Sequence, residues 1–414
     1  MYKPVEINEN LFYVGVNDRT KNLFENLWPL PKGVSYNSYV LRDEKTALID
    51  TVDISFTDVF LNKLDVVLEG KPLDYLVINH MEPDHSGALI FLLNKYPNIQ
   101  IVGNARTADM LKGYYDITNN IQVIKDGDEI SLGKNTLKFY LTPMVHWPET
   151  MMTYAKESKT VFAGDAFGTF GTLDGGVTDS QLNPDFYWDE MVRYYSNIVG
   201  KYGGPVQKAL RKFKDVEINT ICPTHGPVWT ESDNVNRVIA LYDKLSSYEG
   251  DKGLVIAYGS MYGNTEQLAE AIASEAAANG VKNIVMHNLS KSNLSYVIQD
   301  IYKYKGLIIG SPTYDSKLYP AVQTLVNTLE NKNLKNRYFG FFGSHSWAGT
   351  SVRILTDFAD KMQFEKICCP IDMKQSLNKD FYEQAVTLGS NMAKKILSND
   401  EIVPNKTADC INLI

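Results

Sequence analysis

Seven potential metal ligands occupy four short segments of the first 225 residues: His80, Glu82, Asp84 and His85 within HMEPDH, then His146, Asp165 and His225. Four of the six histidines in the chain belong to this set. Each segment follows an apolar, strand-like run. LDYLVIN (73–79) precedes the first four ligands, NTLKFYLTP precedes His146, TVFAGD (160–165) ends on Asp165, and INTICPTHG (218–226) carries His225. The fold must therefore be one in which several strand ends converge, because loops at strand ends let residues far apart in sequence share one pocket. The alternation of His80, Glu82 and Asp84 lets a tight loop turn three side-chain heads toward one centre, and His85 adds a fourth.

A set of nitrogen and oxygen ligands without sulfur suits Fe, Mn, Zn or Co. Three of the seven are carboxylates. Each negative ligand stabilises a ferric ion more than a ferrous one, so this charge favours two irons over two zincs. Asp165 is the natural bridge, since one carboxylate can bind two cations. Taken alone, the His80–His85 segment also reads as a capped loop. The further ligands at strand ends favour metal binding. The isolated His287 and His345 read as structural. Trp147 reads as a pocket wall, Tyr194 and Tyr195 as core packing before site donors, and Cys222 as a small buried apolar residue. The four cysteines, Cys222, Cys368, Cys369 and Cys410, form no CxxC pair. A thiolate zinc site, a cysteine-ligated cluster and a disulfide framework are not expected, so redox work needs another cofactor.

At 414 residues the chain is too long for one ordinary core, and two domains are expected. In the first, SYVL and TALIDT flank a charged turn and read as a hairpin. SGALIFLLNKY (86–96) reads as a helix with Ser86 as a candidate N-cap. NIQIVG is a strand and TADMLKGYY a helix. IQVIKDGDEISL and NTLKFYLTP carry the Asp-Gly signal of paired strands. Two sheets covered by helices, a four-layer sandwich, are predicted for residues 1–249. SSYEGDKG then reads as a linker. Beyond it, GLVIAYGS, IYKYKGLIIG (301–310) and NRYFGFFG (336–343) are apolar strands separated by helical segments. One of these, EQLAEAIASEAAANG, puts Leu268 and Ile272 on one face and ends at Gly280 as a C-cap. This alternation predicts a doubly wound parallel sheet over 250–398, with a frayed tail at 399–414.

Three strand-end loops of the second domain form a binding site. Ser260-Met261-Tyr262-Gly263-Asn264-Thr265 joins a strand to a helix N-terminus, which offers amides and a positive dipole end to a phosphate. No Gly-Lys-Ser/Thr follows and no GxGxxG is present, so a triphosphate or dinucleotide is disfavoured. A monophosphate held by hydroxyls and amides suits FMN. Ser311-Pro312-Thr313-Tyr314-Asp315 and Gly343-Ser344-His345-Ser346-Trp347-Ala348-Gly349 supply the ring site, with Tyr314 and Trp347 able to stack on an isoalloxazine.

With both motif sets in this order, the chain resembles the flavodiiron proteins (A-type flavoproteins) over nearly all its length. The first 250 residues look like a metallo-β-lactamase-like αββα sandwich in which the hydrolase HxHxDH motif is His-x-Glu-x-Asp-His. The remainder looks like a flavodoxin. The resemblance implies that His80, Glu82 and His146 bind one iron, that Asp84, His85 and His225 bind the second, and that Asp165 bridges them. His85 is the least secure ligand, because its counterpart is uncoordinated in some members. The FMN phosphate would sit on Ser260 to Thr265, and the ring on Pro312 to Tyr314 and Ser344 to Gly349. The implied activity is reduction of O2 to water, of NO to N2O, or of both. Electrons would pass from FMN to the diiron centre, which is itself the catalyst. The donor would be a separate molecule, a rubredoxin or a reduced deazaflavin, and the assembly a head-to-tail homodimer or a tetramer.

Composition closes off other classes. The net charge of −8 and the lack of a Lys/Arg cluster argue against nucleic-acid binding. No apolar run approaches the roughly 20 residues of a membrane helix, and the N-terminus lacks the pattern of a secretory signal. A cytoplasmic protein is expected. Three alternatives remain to be weighed: a dizinc hydrolase fused to a flavodoxin, against which Glu82 argues; a pure electron carrier; and a nucleic-acid processing enzyme.

Overall fold

The computed structural model describes residues 3–407. The chain divides into two compact units between Ser246 and Ser247. Cys410 and the end of the expected tail lie outside the described residues.

The N-terminal unit holds two mixed sheets. The seven-stranded sheet runs in the order Val5–Asn8, Leu11–Tyr13, Tyr39–Leu41, Ala47–Ile49, Tyr75–Val77, Gln100–Gly103, Ile121–Val123. Its first four strands are antiparallel, and the pairing turns parallel from Ala47–Ile49 onward. The five-stranded sheet runs Glu129–Ser131, Thr136–Leu141, Met151–Ala155, Thr160–Gly164, Thr220–Pro223, with only the last pair parallel. Parallel central strands are buried on both faces, which is why Ala47, Leu48 and Ile49 form an unbroken apolar run. The two sheets meet through Tyr39, whose ring lies 5.6 Å from that of Phe162 and whose hydroxyl donates to Pro223 O at 2.6 Å. Helices such as Thr57–Leu68 bury one stripe (Phe60, Leu64, Val67) and complete the αββα layering.

The C-terminal unit is a parallel sheet in the order Ile284–Asn288, Asp251–Tyr258, Tyr304–Tyr314, Tyr338–His345, followed by Glu365–Lys366 and Ile371–Lys374 on the same edge. This is the doubly wound order 2-1-3-4-5, in which ligands bind where the winding reverses, beyond the strand C-termini. The helix Asn264–Ala278 begins at Gly263 (φ 93°) and ends before Gly280 (φ 96°), both left-handed. Leu268 and Ile272 share its buried face.

Several local expectations need correction. Ser86 is not an N-cap: it closes the short helix Pro83–Ser86, and its hydroxyl bonds back to Met81 O and Glu82 O. The helix Leu89–Lys95 starts after Ala88. Asp126-Gly127 does not turn a hairpin. The strand before it belongs to one sheet and the strand after it to the other, so the segment is a crossover. Ile301–Lys303 end the helix Leu294–Lys303 instead of starting a strand, and Ser311–Tyr314 extend a strand instead of forming a loop. The first described residues of the tail are tied down, with Val403 N–H donating to Glu365 at 2.7 Å and Tyr338 Oη to Asp400 O at 2.8 Å. Among the described residues Cys222 and Cys368 are free thiols, whereas Cys369 is disulfide-bonded, which the sequence reading did not expect.

The C-terminal unit carries one fully buried guanidinium. Arg337 donates to the carbonyls of Tyr248, Ile301, Tyr302, Lys335 and Asn336 at 2.8–3.1 Å. Burial pulls its pKa down to about 10, so the charge persists at neutral pH and is held by carbonyl dipoles. Arg337→Met removes these donors and leaves buried carbonyls unpaired. A loss of about 3 kcal/mol is expected, read by thermal or urea denaturation. An unchanged midpoint would overturn this account.

Candidate metal centre and cofactor cleft

The seven ligand candidates come together in the N-terminal unit, and all are buried. His80 follows the strand Tyr75–Val77, and Glu82 is the residue before the short helix that carries Asp84 and His85. Asp165 and His225 follow Thr160–Gly164 and Thr220–Pro223, and His146 lies between two strands of the second sheet. Backbone bonds from Asn79 (2.8 Å) and His80 (3.3 Å) to the buried Asp50 carboxylate hold the first loop.

Two groups form. Facing atoms of His80, Glu82, His146 and Asp165 lie within 4.8 Å of one another, as do those of Asp84, His85 and His225. Asp165 faces both. Its Oδ2 is 3.0 Å from His146 Nε2 and 3.5 Å from His80 Nε2, while its Oδ1 is 3.0 Å from His85 Nε2 and 3.6 Å from His225 Nε2. Glu82 Oε2 lies 3.1 Å from His146 Nε2 and 3.2 Å from His80 Nε2. The ring nitrogens are set by partners behind them. His80 Nδ1–H donates to Glu149 at 2.8 Å, and His225 Nδ1–H to Ser35 O at 2.7 Å. Each Nε2 lone pair is thus turned into the cluster, the arrangement metal-binding histidines need. Thr224 Oγ1 donates to Asp165 Oδ1 at 2.6 Å. His85 differs, since its Nδ1 is buried without a hydrogen-bond partner.

The electrostatics are those of a cation site. Burial alone would lower the imidazoles of His85 and His146, but the carboxylates of Asp84 and Asp165 for the former, and Asp165 and Glu82 for the latter, hold both up at about 9. Burial raises Asp84 to about 7, opposed by His85 and reinforced by Glu82 and Asp165. Burial and the neighbouring His85 depress His225 to about 4. Both oxygens of Asp84 are buried without a hydrogen-bond donor, a costly state unless a cation meets them. The donor set and these orphaned oxygens fit two metal ions bound by nitrogen and oxygen. Metals must displace protons here, because His85 and His146 are cationic below about pH 9 and bind only as neutral bases. Loading the metal-free protein with ferrous iron near neutral pH is therefore expected to release protons, and affinity should fall as pH falls. A pH-indicator titration checks this, and metal uptake without proton release would contradict it.

Residues that the ligand pattern did not reveal complete the site. Glu149, Asp50 and Thr224 support ligands from behind. Only Thr224, next to His225, and Glu149, three residues after His146, carried a proximity signal. Tyr194 does more than fill the core. Its ring centroid is 5.5 Å from that of His225, and its buried hydroxyl has no hydrogen-bond partner among the described residues. Burial, with the negative Asp165 and Glu82, keeps this phenol protonated. Tyr195 packs on Tyr242 (5.0 Å), and Trp147 stands edge-on to His80 (5.2 Å) as a wall.

In the C-terminal unit the three strand-end segments border one cleft of about 460 Å³. Met261, Tyr262, Asn264 and Thr265 line it from the first, Pro312, Thr313, Tyr314 and Asp315 from the second, and Ser344, Trp347 and Ala348 from the third. Ser260 and Gly263 shape the turn instead, Gly263 N–H donating to Ser260 Oγ at 3.1 Å, and Gly349 packs beneath its loop. Thr265 and Ser344 hydroxyls bond at 2.9 Å across the floor. Tyr262 and Trp347 are 92% and 91% exposed, aromatic faces that a planar ring would cover. A helix N-terminus with a hydroxyl at its first turn, beside such faces, fits a flavin monophosphate. His345, Ser346, Ser316 and Gln375 also line the cleft, so His345 is part of the cofactor site and not only a structural histidine.

Known proteins agree with both halves. A family model described as ODP family beta lactamase matches residues 34–226, and one for flavodoxin matches 256–387. A curated nitric oxide reductase of Moorella thermoacetica is 31% identical over 96% of this chain and 100% of its own length. An anaerobic nitric oxide reductase flavorubredoxin of Shigella dysenteriae is 30% identical over 87% of this chain and 76% of that protein. Among solved structures, rubredoxin oxygen:oxidoreductase of Desulfovibrio gigas superposes with a TM-score of 0.90 at 28% identity, covering 95% of this chain and 98% of that one. The flavodiiron protein of Giardia intestinalis superposes at 0.89 with 26% identity, covering 95% and 97%. Two sheet layers that gather carboxylates and imidazoles, followed by a flavodoxin unit, and relatives of this likeness over nearly the whole chain show that it belongs to the flavodiiron proteins, oxidoreductases that reduce O2 or NO.

Proposed function

We propose that this chain reduces O2 to water, NO to N2O, or both, in the cytoplasm of an anaerobe, and thereby scavenges these gases. Residues 1–249 form the diiron domain and 250–398 the FMN domain. His80, Glu82 and His146 would hold one iron and Asp84, His85 and His225 the other, with Asp165 placed to serve both. FMN takes its phosphate on Ser260–Thr265 and its ring between Pro312–Asp315 and Ser344–Gly349. The observation that carries this reading is Asp165, whose two oxygens face two separate buried ligand groups. When bound, the irons supply electrons and Lewis acidity and the flavin relays electrons to them. The protein's own part is to orient and exclude. Glu149 and Ser35 fix the imidazoles of His80 and His225, so no reorganisation is needed on binding a cation. Burial of all seven ligands keeps bulk water from the reacting gas. Tyr194 packs its ring beside His225 and keeps a buried, protonated hydroxyl near the cluster's carboxylates.

A neighbour named for rubredoxin supports a rubredoxin as the donor, with a reduced deazaflavin second. A head-to-tail homodimer, or a tetramer built from it, would suit metal and flavin sites on different compact units. Among the described residues no helix is long and apolar enough to cross a membrane. The test is elemental analysis of protein made with ample iron, followed by anaerobic consumption of O2 and of NO by the reduced enzyme in parallel. Two irons and one FMN per chain with rapid loss of either gas are expected, and the ratio of the two rates assigns the preferred substrate. Zinc without iron, or iron and FMN without gas consumption, would overturn the reading.

A further inference from the structure

The third cleft segment leaves the strand Tyr338–His345 and returns to the helix Ser351–Met362. Its return is pinned where Thr350 N–H and Ser351 N–H donate to Thr313 Oγ1 at 3.1 and 3.3 Å. Its departure is pinned by a pair that the sequence pattern did not single out. His345 Nδ1 lies 3.0 Å from Asp372 Oδ1, on the neighbouring strand Ile371–Lys374. In that parallel pairing Asp372 stands opposite Gly343, and His345 opposite Lys374. The imidazole therefore leans back along its strand, over a residue with no side chain, to reach the carboxylate. The segment then folds over the pair. A Cβ on Gly349 would come within 2.7 Å of His345 Nδ1 and 2.9 Å of Asp372 Oδ2. Two glycines thus leave room for one histidine–aspartate pair, and Trp347 projects from the span between them.

From this geometry we infer that His345 and Asp372 are positioning residues for the flavin: their hydrogen bond props the Ser344–Gly349 segment from beneath and presets Trp347 and Ser344 on the cleft. The inference rests on FMN being the ligand of this cleft. Presetting a loop lowers the ordering cost of binding, so loss of the prop weakens affinity, and Asp372, which does not line the cleft, tests the prop apart from any direct contact of His345. The pair is partly exposed, with side-chain exposures of 14% for His345 and 44% for Asp372, so the effect belongs at the low end for a charge-assisted hydrogen bond, about tenfold.

The test is titration of the deflavinated, iron-loaded full-length chain with FMN, followed by quenching of flavin fluorescence and by the visible circular dichroism of the bound flavin. His345→Phe keeps an aromatic ring but removes the donor, and about tenfold weaker binding with an altered dichroic band is expected. His345→Asn keeps a donor near the Nδ1 position and is expected to restore affinity to within about threefold. Asp372→Ala should match His345→Phe, and the double variant should be no weaker than either single one. Gly349→Ala, which displaces the same pair by contact, should also weaken FMN. Wild-type affinity and an unchanged band in His345→Phe, or losses that add in full in the double variant, would overturn the inference. Failure of the wild-type chain itself to bind FMN would instead overturn the reading of the cleft.

Discussion

Asp165→Ala is expected to abolish consumption of O2 and NO while leaving FMN content normal. Among the described residues its carboxylate is the one that reaches both ligand groups, at 3.0 Å from His146 Nε2 on one side and 3.0 Å from His85 Nε2 on the other. The substitution removes a ligand from each metal position and the negative charge that lets neighbouring imidazoles share a buried pocket. It also leaves Thr224 Oγ1 without its acceptor at 2.6 Å. A fall of at least about a thousandfold follows if several kcal/mol of metal-based stabilisation are lost. Metal content should drop from two ions toward one or none. The flavin cleft belongs to a different compact unit, so its occupancy is the internal control. Retained gas consumption would show that the working part is the flavodoxin unit alone, and a pure electron carrier would replace the present reading.

Glu149→Ala should weaken iron binding by about 10–100-fold, the range seen when the partner behind a metal-bound histidine is removed. Glu149 Oε1 accepts from both His80 Nδ1 (2.8 Å) and Met81 N–H (2.9 Å), and all three groups are buried. Without it, His80 is free to rotate or to adopt the wrong tautomer, and two donors lose their acceptor in a dry environment. Glu149→Gln keeps an acceptor but loses the charge, so a smaller loss is expected. Competition with a chelator measures both. Equal iron retention in wild type and Glu149→Ala would remove Glu149 from any role at the metal. Because the residue contacts no other ligand candidate, the loss should begin at the position served by His80, Glu82 and His146.

The ligand types were legible from the chain because their chemistry is local. His80, Glu82, Asp84 and His85 sit within six consecutive residues, and a loop that short cannot scatter its side chains. The supporting partners were not legible for the opposite reason. His80 meets Glu149 across 69 residues, and His225 meets Ser35 across 190. An isolated Ser such as Ser35 has no pattern to distinguish it from a surface residue, and Glu149, though close to His146 in sequence, carries no sign that it serves His80. His345 illustrates the same limit, since its partner Asp372 lies 27 residues away on another strand. Periodicity located the strands well where they are buried runs. It failed at Asp126-Gly127, where a turn signal marks a change of sheet, because turn chemistry specifies a local bend and not which strands pair across it.

By itself, then, the amino-acid sequence determined the donor atoms available, the order of a metal-gathering unit and a flavin-gathering unit, and the placement of both sets of residues at strand ends. These follow from residue type and from short-range pattern, which survive without knowledge of long-range contacts. Tertiary structure alone decided which residues stand behind the ligands, the distances between the ligand atoms, and which nitrogen of His80 and His225 points inward. The physical reason is that His85 and His225, 140 residues apart, come to 3.1 Å between their Nε2 atoms. Only the packing of one sheet on the other sets such a distance, and with it the charge that draws in a metal.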